Sequence, residues 1–208
     1  MINEKTTIKC ESIFDDAHTH RYMWRRVWQK DKPLAAVICL QPSLSDNIVQ
    51  DTTTALVVNN IARLERFGGV VILNLFSMLT SKLNFRYNSD EELCHRENDE
   101  YIMKAAQECD TIVLAWGKGG NTNDRIAKRA EQVIRMLSLH EDKLYVITDG
   151  ERSFLHPLTP QIRQSWELVK FDPHTDAKHQ EGKAVTDEPM ETADDEGRDE
   201  QNGDATIS

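Results

Sequence analysis

Three side chains able to hydrogen-bond a ligand follow apolar runs that are typical of buried strands. Gln41 and Asn74 each come directly after such a run, another run ends in Trp116-Gly117, and His156 follows the last run after a short loop. The carboxyl ends of parallel strands meet at one edge of an open α/β sheet, where ligand sites are built. The sequence therefore predicts that Gln41, Asn74 and His156 surround one cleft.

The chemistry of two of these residues suits recognition and release of a nucleobase. Asn74 offers one carbonyl acceptor and two N–H donors, so it can pair with an acceptor–donor face of a pyrimidine. His156 precedes Pro157 on a short loop and can donate to a base oxygen on which negative charge develops. Each residue alone is better explained structurally, Asn74 as a strand-end cap and His156 as a surface residue. Both assignments therefore depend on the whole set.

Candidates for the attack of water lie in the loop after the first predicted strand. The Gln41 amide cannot take a proton at neutral pH, although it can orient a water molecule. Asp46 and Asp51 supply carboxylates in the same loop. We favour their structural roles, Asp46 in a Ser-rich turn and Asp51 as the N-cap of the following helix.

Further residues are candidates for contacts with a phosphate or a base. Ser43 offers a hydroxyl, and Lys118 and Gly119 begin a glycine-rich turn between a strand and a helix, where anions bind readily. Phe76 follows Asn74 closely enough to stack on an extruded base, although it fits the core equally well.

The elements that position these residues alternate along the chain. Four apolar runs lack the polar alternation of half-exposed strands and predict central strands covered on both faces: residues 34–40, 70–73, 111–116 and 143–148. Helical periodicity lies between them, over residues 53–67, 90–108 and 123–139. This order predicts an α/β fold, a three-layer αβα sandwich with a mainly parallel central sheet.

Residues 20–28 interleave basic and aromatic side chains. This composition can stack on bases and neutralise phosphates. We favour instead an amphipathic strand or helix whose aromatic side chains pack inward.

Charge divides the 208 residues into a nearly neutral body and an acidic end. The net charge is −10, and residues 174–208 carry eleven acidic against three basic residues, which leaves −8 there and −2 in the rest. That segment has no aromatic residue and cannot bury enough apolar surface to offset its ordering entropy. We predict one domain over residues 1–173 and a disordered acidic tail over 174–208. A solubilising terminus is favoured over an autoinhibitory mimic of nucleic acid or a docking tail.

Several classes of protein are disfavoured by the sequence. No run approaches the roughly 20 apolar residues that span a bilayer, and the N-terminal residues do not read as a secretory signal. We therefore expect a cytoplasmic protein without a membrane partner. The cysteine spacings match no zinc or iron–sulfur motif, and His18 with His20 lacks a third ligand nearby. We predict no metal and no cofactor, and favour a monomer.

The chain resembles the DUF1643 family of bacterial and phage proteins over about residues 20–170. The segments that carry this resemblance are Arg21-Tyr22, Gln41-Pro42-Ser43, Asp51-Thr52-Thr53, Asn74-Leu75-Phe76, Asn98-Asp99, Trp116-Gly117 and His156-Pro157-Leu158. Their order also resembles the uracil-DNA glycosylase superfamily, whose members have an Asp-Pro or Asn-Pro loop, a strand ending in Asn, a Leu-Gly or Trp-Gly strand end and a His-Pro-Ser loop. Gln41 departs from that pattern, because active members commonly have Asp or Asn there.

The second resemblance implies a DNA glycosylase that flips a uracil-like or modified pyrimidine out of DNA and hydrolyses its N-glycosidic bond, in repair or in defence against phage DNA. It implies catalytic roles for Gln41, Asp46, Asp51 and His156, base binding by Asn74 and Phe76, and DNA-backbone contacts by Ser43, Lys118 and Gly119. The alternative is a catalytically silent module that binds a nucleobase or nucleotide and serves regulation. A weaker alternative is a hydrolase of free nucleosides.

Overall fold

The computed structural model describes residues 2–45, 47–117 and 123–172, which contain a seven-stranded sheet. The strands are β1 (Lys9–Phe14), β2 (Arg21–Val27), β3 (Leu34–Cys39), β4 (Gly69–Asn74), β5 (Thr111–Leu114), β6 (Leu144–Thr148) and β7 (Glu167–Lys170). The α-helices are α1 (Thr52–Arg63), α2 (Asp90–Leu93), α3 (Glu97–Glu108) and α4 (Asp124–Met136). Short 3₁₀ turns cover Ser138–Lys143 and Pro160–Ile162.

The strand order is β1-β2-β4-β3-β5-β6-β7. The four central strands β4, β3, β5 and β6 run parallel, whereas the pairs β1–β2, β2–β4 and β6–β7 are antiparallel. The predicted α/β class is confirmed, but the sheet is mixed rather than mainly parallel. The short connection between β1 and β2 explains part of the difference, because a parallel pair needs a crossover of a dozen or more residues.

Helices cover both faces of the sheet. On one face, side chains such as Ala36 and Ile38 of β3 share a buried cluster with α3 and α4. On the other face, Ala35 and Val37 share a cluster with α1 and with the chain that follows β6. The sequence of β3 lacks an alternation of polar and apolar residues because both faces of this strand are buried.

Helix ends depend on local capping. The Asp51 side chain accepts from the N–H groups of Thr53 and Thr54, which starts α1 at the predicted N-cap. The helix predicted over residues 90–108 is divided into α2 and α3, because Cys94 adopts an extended backbone conformation (φ −148°, ψ 110°). A capping box between Ser89 and Glu92 starts the first of these helices.

Residues 20–28 are largely β2 and have the structural role that we favoured. Tyr22 and Trp24 are buried in β2, whereas Arg25 and Arg26 are half-buried. Among the described residues, no helix is both long and apolar enough to cross a bilayer. The predicted acidic tail over 174–208 lies outside the described residues.

Candidate functional site

A cleft of about 460 Å³ opens where β3 and β4 end. Cys39 pairs with Asn74 in the parallel register, so both strands end at the same level of the sheet. The cleft is lined by three residues predicted to converge: Gln41, Asn74 and His156. Its volume falls within the range of roughly 300–1,000 Å³ that is typical of small-molecule sites.

Asn74 is the last residue of β4 and is only 2% exposed. Its Nδ2 donates to the main-chain carbonyl of Gln41 at 2.8 Å, which fixes the plane of the amide. In the same orientation Nδ2 also lies 3.2 Å from the Leu73 carbonyl, and the side-chain carbonyl oxygen is the acceptor that the amide offers to a base edge.

His156 lies on the loop after β6 and also lines the cleft. The Leu158 N–H donates to His156 Nδ1 at 3.2 Å, so a neutral ring carries its proton on Nε2. Burial lowers the pKa of His156 below its usual value, and the negative charge of Asp51 opposes this only partly. The ring is therefore neutral at pH 7, with Nε2 as a hydrogen-bond donor.

Gly117 holds the backbone that packs against His156. Its φ is +75°, a conformation that favours glycine, and a Cβ atom at Gly117 would lie 2.9 Å from the Cβ of His156. The absence of a side chain at Gly117 therefore allows the loop that carries His156 to approach the end of β5.

Gln41 makes two hydrogen bonds that the sequence did not predict. Its Nε2 donates to the Thr80 carbonyl at 2.8 Å, and its Oε1 accepts from the Leu83 N–H at 3.3 Å. Both ends of the amide are therefore occupied by main-chain groups. The arrangement favours a clamp that joins the β3–α1 loop to residues 80–83 over a group that orients water.

Asp51 caps α1 and does not line the cleft. Its carboxylate accepts from Thr53 N at 2.7 Å and from the Thr54 hydroxyl at 2.7 Å. Partial burial acts to raise the pKa of Asp51, but hydrogen bonds from Ser43, Thr54 and Ser45 outweigh it and lower the pKa to about 2. An ionised carboxylate with this many donors is a weak base, which supports the structural role.

Arg21 is a site residue that the sequence did not single out. It lines the cleft although it is 2% exposed, and its Nη1 donates to the Ser45 carbonyl at 2.7 Å. Its Nη2 donates to Ser43 Oγ at 3.4 Å. Ser43 lines the cleft, as expected for a residue that contacts a ligand. The sequence drew attention to Arg21 only through the Arg21-Tyr22 segment of the family resemblance. Sequence alone does not distinguish a buried arginine at this position from an exposed one.

Phe76 lies away from this cleft, contrary to the expected stacking role. Its ring is 2% exposed and packs edge-on against Phe85, with 5.5 Å between the ring centroids. Phe76 packs in the same buried cluster as Leu73 and Leu75, because β4 ends at Asn74 and the strand alternation does not continue to Phe76. The predicted residues Asp46, Lys118 and Gly119 lie outside the described residues.

The residues Asn98 and Asp99, for which the sequence indicated no mechanism, hold the end of β4. Asn98 Nδ2 donates to the Asn74 carbonyl at 3.0 Å, and Arg129 Nε donates to the Leu75 carbonyl at 2.8 Å. Asp99 forms an ion pair with Arg129. Helices α3 and α4 thus fix Asn74, which lines the cleft, and Leu75, which follows it.

Within the described ranges, no group of three His, Cys, Asp or Glu side chains is arranged to hold a metal ion. The cleft instead offers amide, hydroxyl, imidazole and cationic groups. Such a set can bind a planar polar ring together with an anionic substituent.

An α/β sheet with a cleft at the ends of its central strands defines the class of protein. The family of proteins of unknown function DUF1643 matches residues 21–158, more than half of the chain, and the chain belongs to this family. No curated protein and no solved structure matches the chain.

Proposed function

We propose that this protein is a DNA glycosylase that hydrolyses the N-glycosidic bond of a uracil-like or otherwise modified pyrimidine nucleotide. The observation that carries the proposal is the placement of Asn74 and His156 on one cleft of about 460 Å³. An amide that reads a base edge and a donor that stabilises the departing base are the two groups that this reaction needs. Repair, or defence against phage DNA, is the role we propose for such an activity.

In the proposed reaction the C1′–N bond breaks and its electron pair stays on the base. Water then adds to C1′, and the proton that the added water loses passes, directly or through solvent, to the departed base anion. The Nε2–H of His156 donates to a base oxygen on which the negative charge collects. A neutral imidazole suits this task, because the Leu158 N–H on Nδ1 already fixes which nitrogen donates. Asn74 pairs with the base edge.

The attack of water has no general base in the proposal. No carboxylate is among the described residues that line the cleft, and the Gln41 amide is bound at both ends. We therefore propose that departure of the base precedes attack, so that an oxocarbenium-like sugar takes up water without prior deprotonation.

Exposed apolar side chains on the β3–α1 loop, which contributes Leu44 to the cleft lining, support DNA over a free nucleoside as the substrate. Leu44, Ile48 and Val49 are 70%, 88% and 69% exposed on the β3–α1 loop. Apolar side chains of this kind insert between base steps and fill the space left by an extruded nucleotide. Helices on both faces of the parallel central strands also fit the three-layer arrangement of a uracil-DNA glycosylase, which we include in the proposal.

The alternative is a catalytically silent module that binds a nucleobase or nucleotide. The clamping role of Gln41 favours it, since the position that commonly orients water in active glycosylases is used here to join two loops.

Base release from synthetic duplexes tests the proposal. Duplexes with uracil or one of a panel of modified pyrimidines are incubated with the full chain, and alkali then cuts at abasic sites. His156→Ala and Asn74→Ala are each expected to lower cleavage by about 10²–10³-fold, as loss of a single charge-stabilising donor does.

Matched controls are His140→Ala and Asn59→Ala, which remove the same side-chain types from positions that do not line the cleft. Both controls are expected to cleave as the wild type does. Cleavage that persists unchanged in His156→Ala and Asn74→Ala contradicts the proposed site. Nucleotide binding without cleavage of any duplex supports the silent module.

A further inference from the structure

The charge of the cleft indicates more about its ligand than a base alone requires. The charged residues among its described lining are Arg21 and Lys82, and both are cationic. A uracil-like ring is neutral, so recognition of the base does not use these charges. They point to an anionic group elsewhere on the ligand.

Arg21 is a buried cation whose guanidinium carries five N–H groups. The hydrogen bonds to Ser45 and Ser43 use two of these groups. Among the described residues, the Nε atom has no hydrogen-bond partner, and Arg21 forms no ion pair with a carboxylate. Burial lowers the pKa of Arg21, and the negative charge of Asp51 opposes this effect. The described part of the chain therefore offers an anionic ligand group a cation that is not held in an ion pair.

Lys82 is held at the mouth of the cleft by the Gln41 clamp. Gln41 binds the Thr80 carbonyl and the Leu83 N–H. Thr80 and Leu83 lie on either side of the segment that carries Lys82. The ammonium group of Lys82 takes part in none of the ion pairs formed within the described chain. It is exposed and available to a ligand.

We propose that Arg21, Ser43 and Lys82 form a phosphate subsite of the cleft, which binds a phosphate group of the nucleotide whose base Asn74 reads. Lys82 contacts the phosphate as an exposed point charge, whereas Arg21 supplies a fixed positive charge from the interior and positions the Ser43 hydroxyl. This inference rests on the proposed function, and it adds which residues of the cleft contact the phosphate.

Two binding measurements test the subsite and separate the sources of the phosphate. In one, a fluorescein-labelled single-stranded oligonucleotide containing deoxyuridine is titrated with the full chain at several salt concentrations. In the other, calorimetry compares deoxyuridine 5′-monophosphate with deoxyuridine. The variants are Lys82→Gln and Arg21→Lys. Lys104→Gln is the control, because Lys104 is exposed on α3 and does not line the cleft.

Loss of one phosphate contact in Lys82→Gln is expected to reduce the slope of log K against log salt for the single-stranded oligonucleotide by about 0.7. Arg21→Lys is expected to weaken binding as well, with circular dichroism used to confirm that it folds. These results, with Lys104→Gln unchanged, support the subsite and a DNA phosphate.

The other outcomes are equally definite. If Lys82→Gln weakens only the monophosphate, the subsite stands with a free nucleotide as its ligand, and the proposed action on DNA fails. If Lys82→Gln matches Lys104→Gln with both probes, the subsite is overturned. Base release from duplexes is scored separately, so glycosylase activity can survive that result.

Discussion

At the scale of single residues, the side chains of the cleft are oriented mainly by the backbone. The Leu158 N–H selects the tautomer of His156, and the Gln41 carbonyl fixes the amide of Asn74. Backbone groups move little without unfolding, so these side chains are pre-organised rather than free to rotate. Pre-organised donors are the arrangement that stabilises developing charge most effectively.

Asp51 allows a test that separates capping from catalysis. Asp51→Ala is expected to lower the free energy of unfolding by about 1 kcal/mol, whereas Asp51→Asn keeps an N-cap acceptor and lowers it less. Because hydrogen bonds lower the folded-state pKa from 3.8 to about 2, the carboxylate stabilises the fold above about pH 4 and loses this effect as the pH falls towards 2.

Urea denaturation between pH 2 and pH 7 measures both effects. The pH dependence below 4 is expected to shrink in Asp51→Asn, which has no carboxylate. Retained base release in Asp51→Asn agrees with capping. Loss of base release in this variant, at unchanged stability, contradicts it.

The same substitution at Gly117 and at Gly150 tests how the loop that carries His156 is placed. Both have positive φ, +75° and +90°, so alanine at either position is expected to cost about 1–3 kcal/mol of stability through backbone strain. A Cβ atom at Gly117 also meets His156, whereas one at Gly150 has no neighbour within 4 Å. Gly117→Ala is therefore expected to reduce base release and Gly150→Ala to spare it. Equal activity in the two variants contradicts a role for Gly117 in placing His156.

At the scale of elements, α3 and α4 act on the cleft through the end of β4. Asn98→Ala removes the donor to the buried Asn74 carbonyl, which is expected to cost about 1–3 kcal/mol. Asn60→Ala is the control, since Asn60 Nδ2 binds the Leu56 and Arg163 carbonyls on the opposite face of the sheet. Thermal denaturation is expected to show similar losses of stability in Asn98→Ala and Asn60→Ala. Base release is expected to fall further in Asn98→Ala alone. A parallel decline in both variants indicates that Asn98 only stabilises the fold.

The central strands could be predicted because burial on both faces leaves a simple signature. Residues 34–40 and 70–73 are continuous apolar runs, and they contain β3 and most of β4. The outer strands β1 and β7 have exposed positions, and their polar residues hide the strand pattern. The sequence therefore does not predict the antiparallel pairing of these outer strands, which depends on tertiary contacts.

The positions of site residues could be predicted better than their contacts. Strand ends placed Asn74 and Gln41 at one edge of the sheet, and the structure brings His156 to the same cleft. The engagement of Gln41 with residues 80–83 depends on the path of a loop 39 residues further along the chain, which no local pattern specifies. The burial of Arg21 depends likewise on the β3–α1 loop that it contacts.

At the scale of the whole molecule, net charge and cleft charge have opposite signs. The chain carries −10 in total, but residues 174–208 account for −8 of it, and the charged side chains among the described cleft lining are cationic. A phosphate approaching the cleft is therefore attracted locally and repelled by the net charge of the rest of the molecule. The repulsion is screened beyond about 10 Å at 0.1 M salt.

Deletion of residues 174–208 tests what the acidic segment contributes. Among the described residues, both buried clusters extend no further than Phe171, and the deleted segment is predicted to be disordered, so the free energy of unfolding is expected to change by less than about 0.5 kcal/mol. The net charge becomes −2, which is expected to lower solubility and to strengthen oligonucleotide binding at low salt. Denaturation and anisotropy titrations at 0.05 and 0.2 M salt, between which the Debye length falls by about half, measure the two effects. Because general repulsion is screened, its contribution shrinks at the higher salt, whereas an autoinhibitory segment bound in the cleft still raises the apparent Kd there.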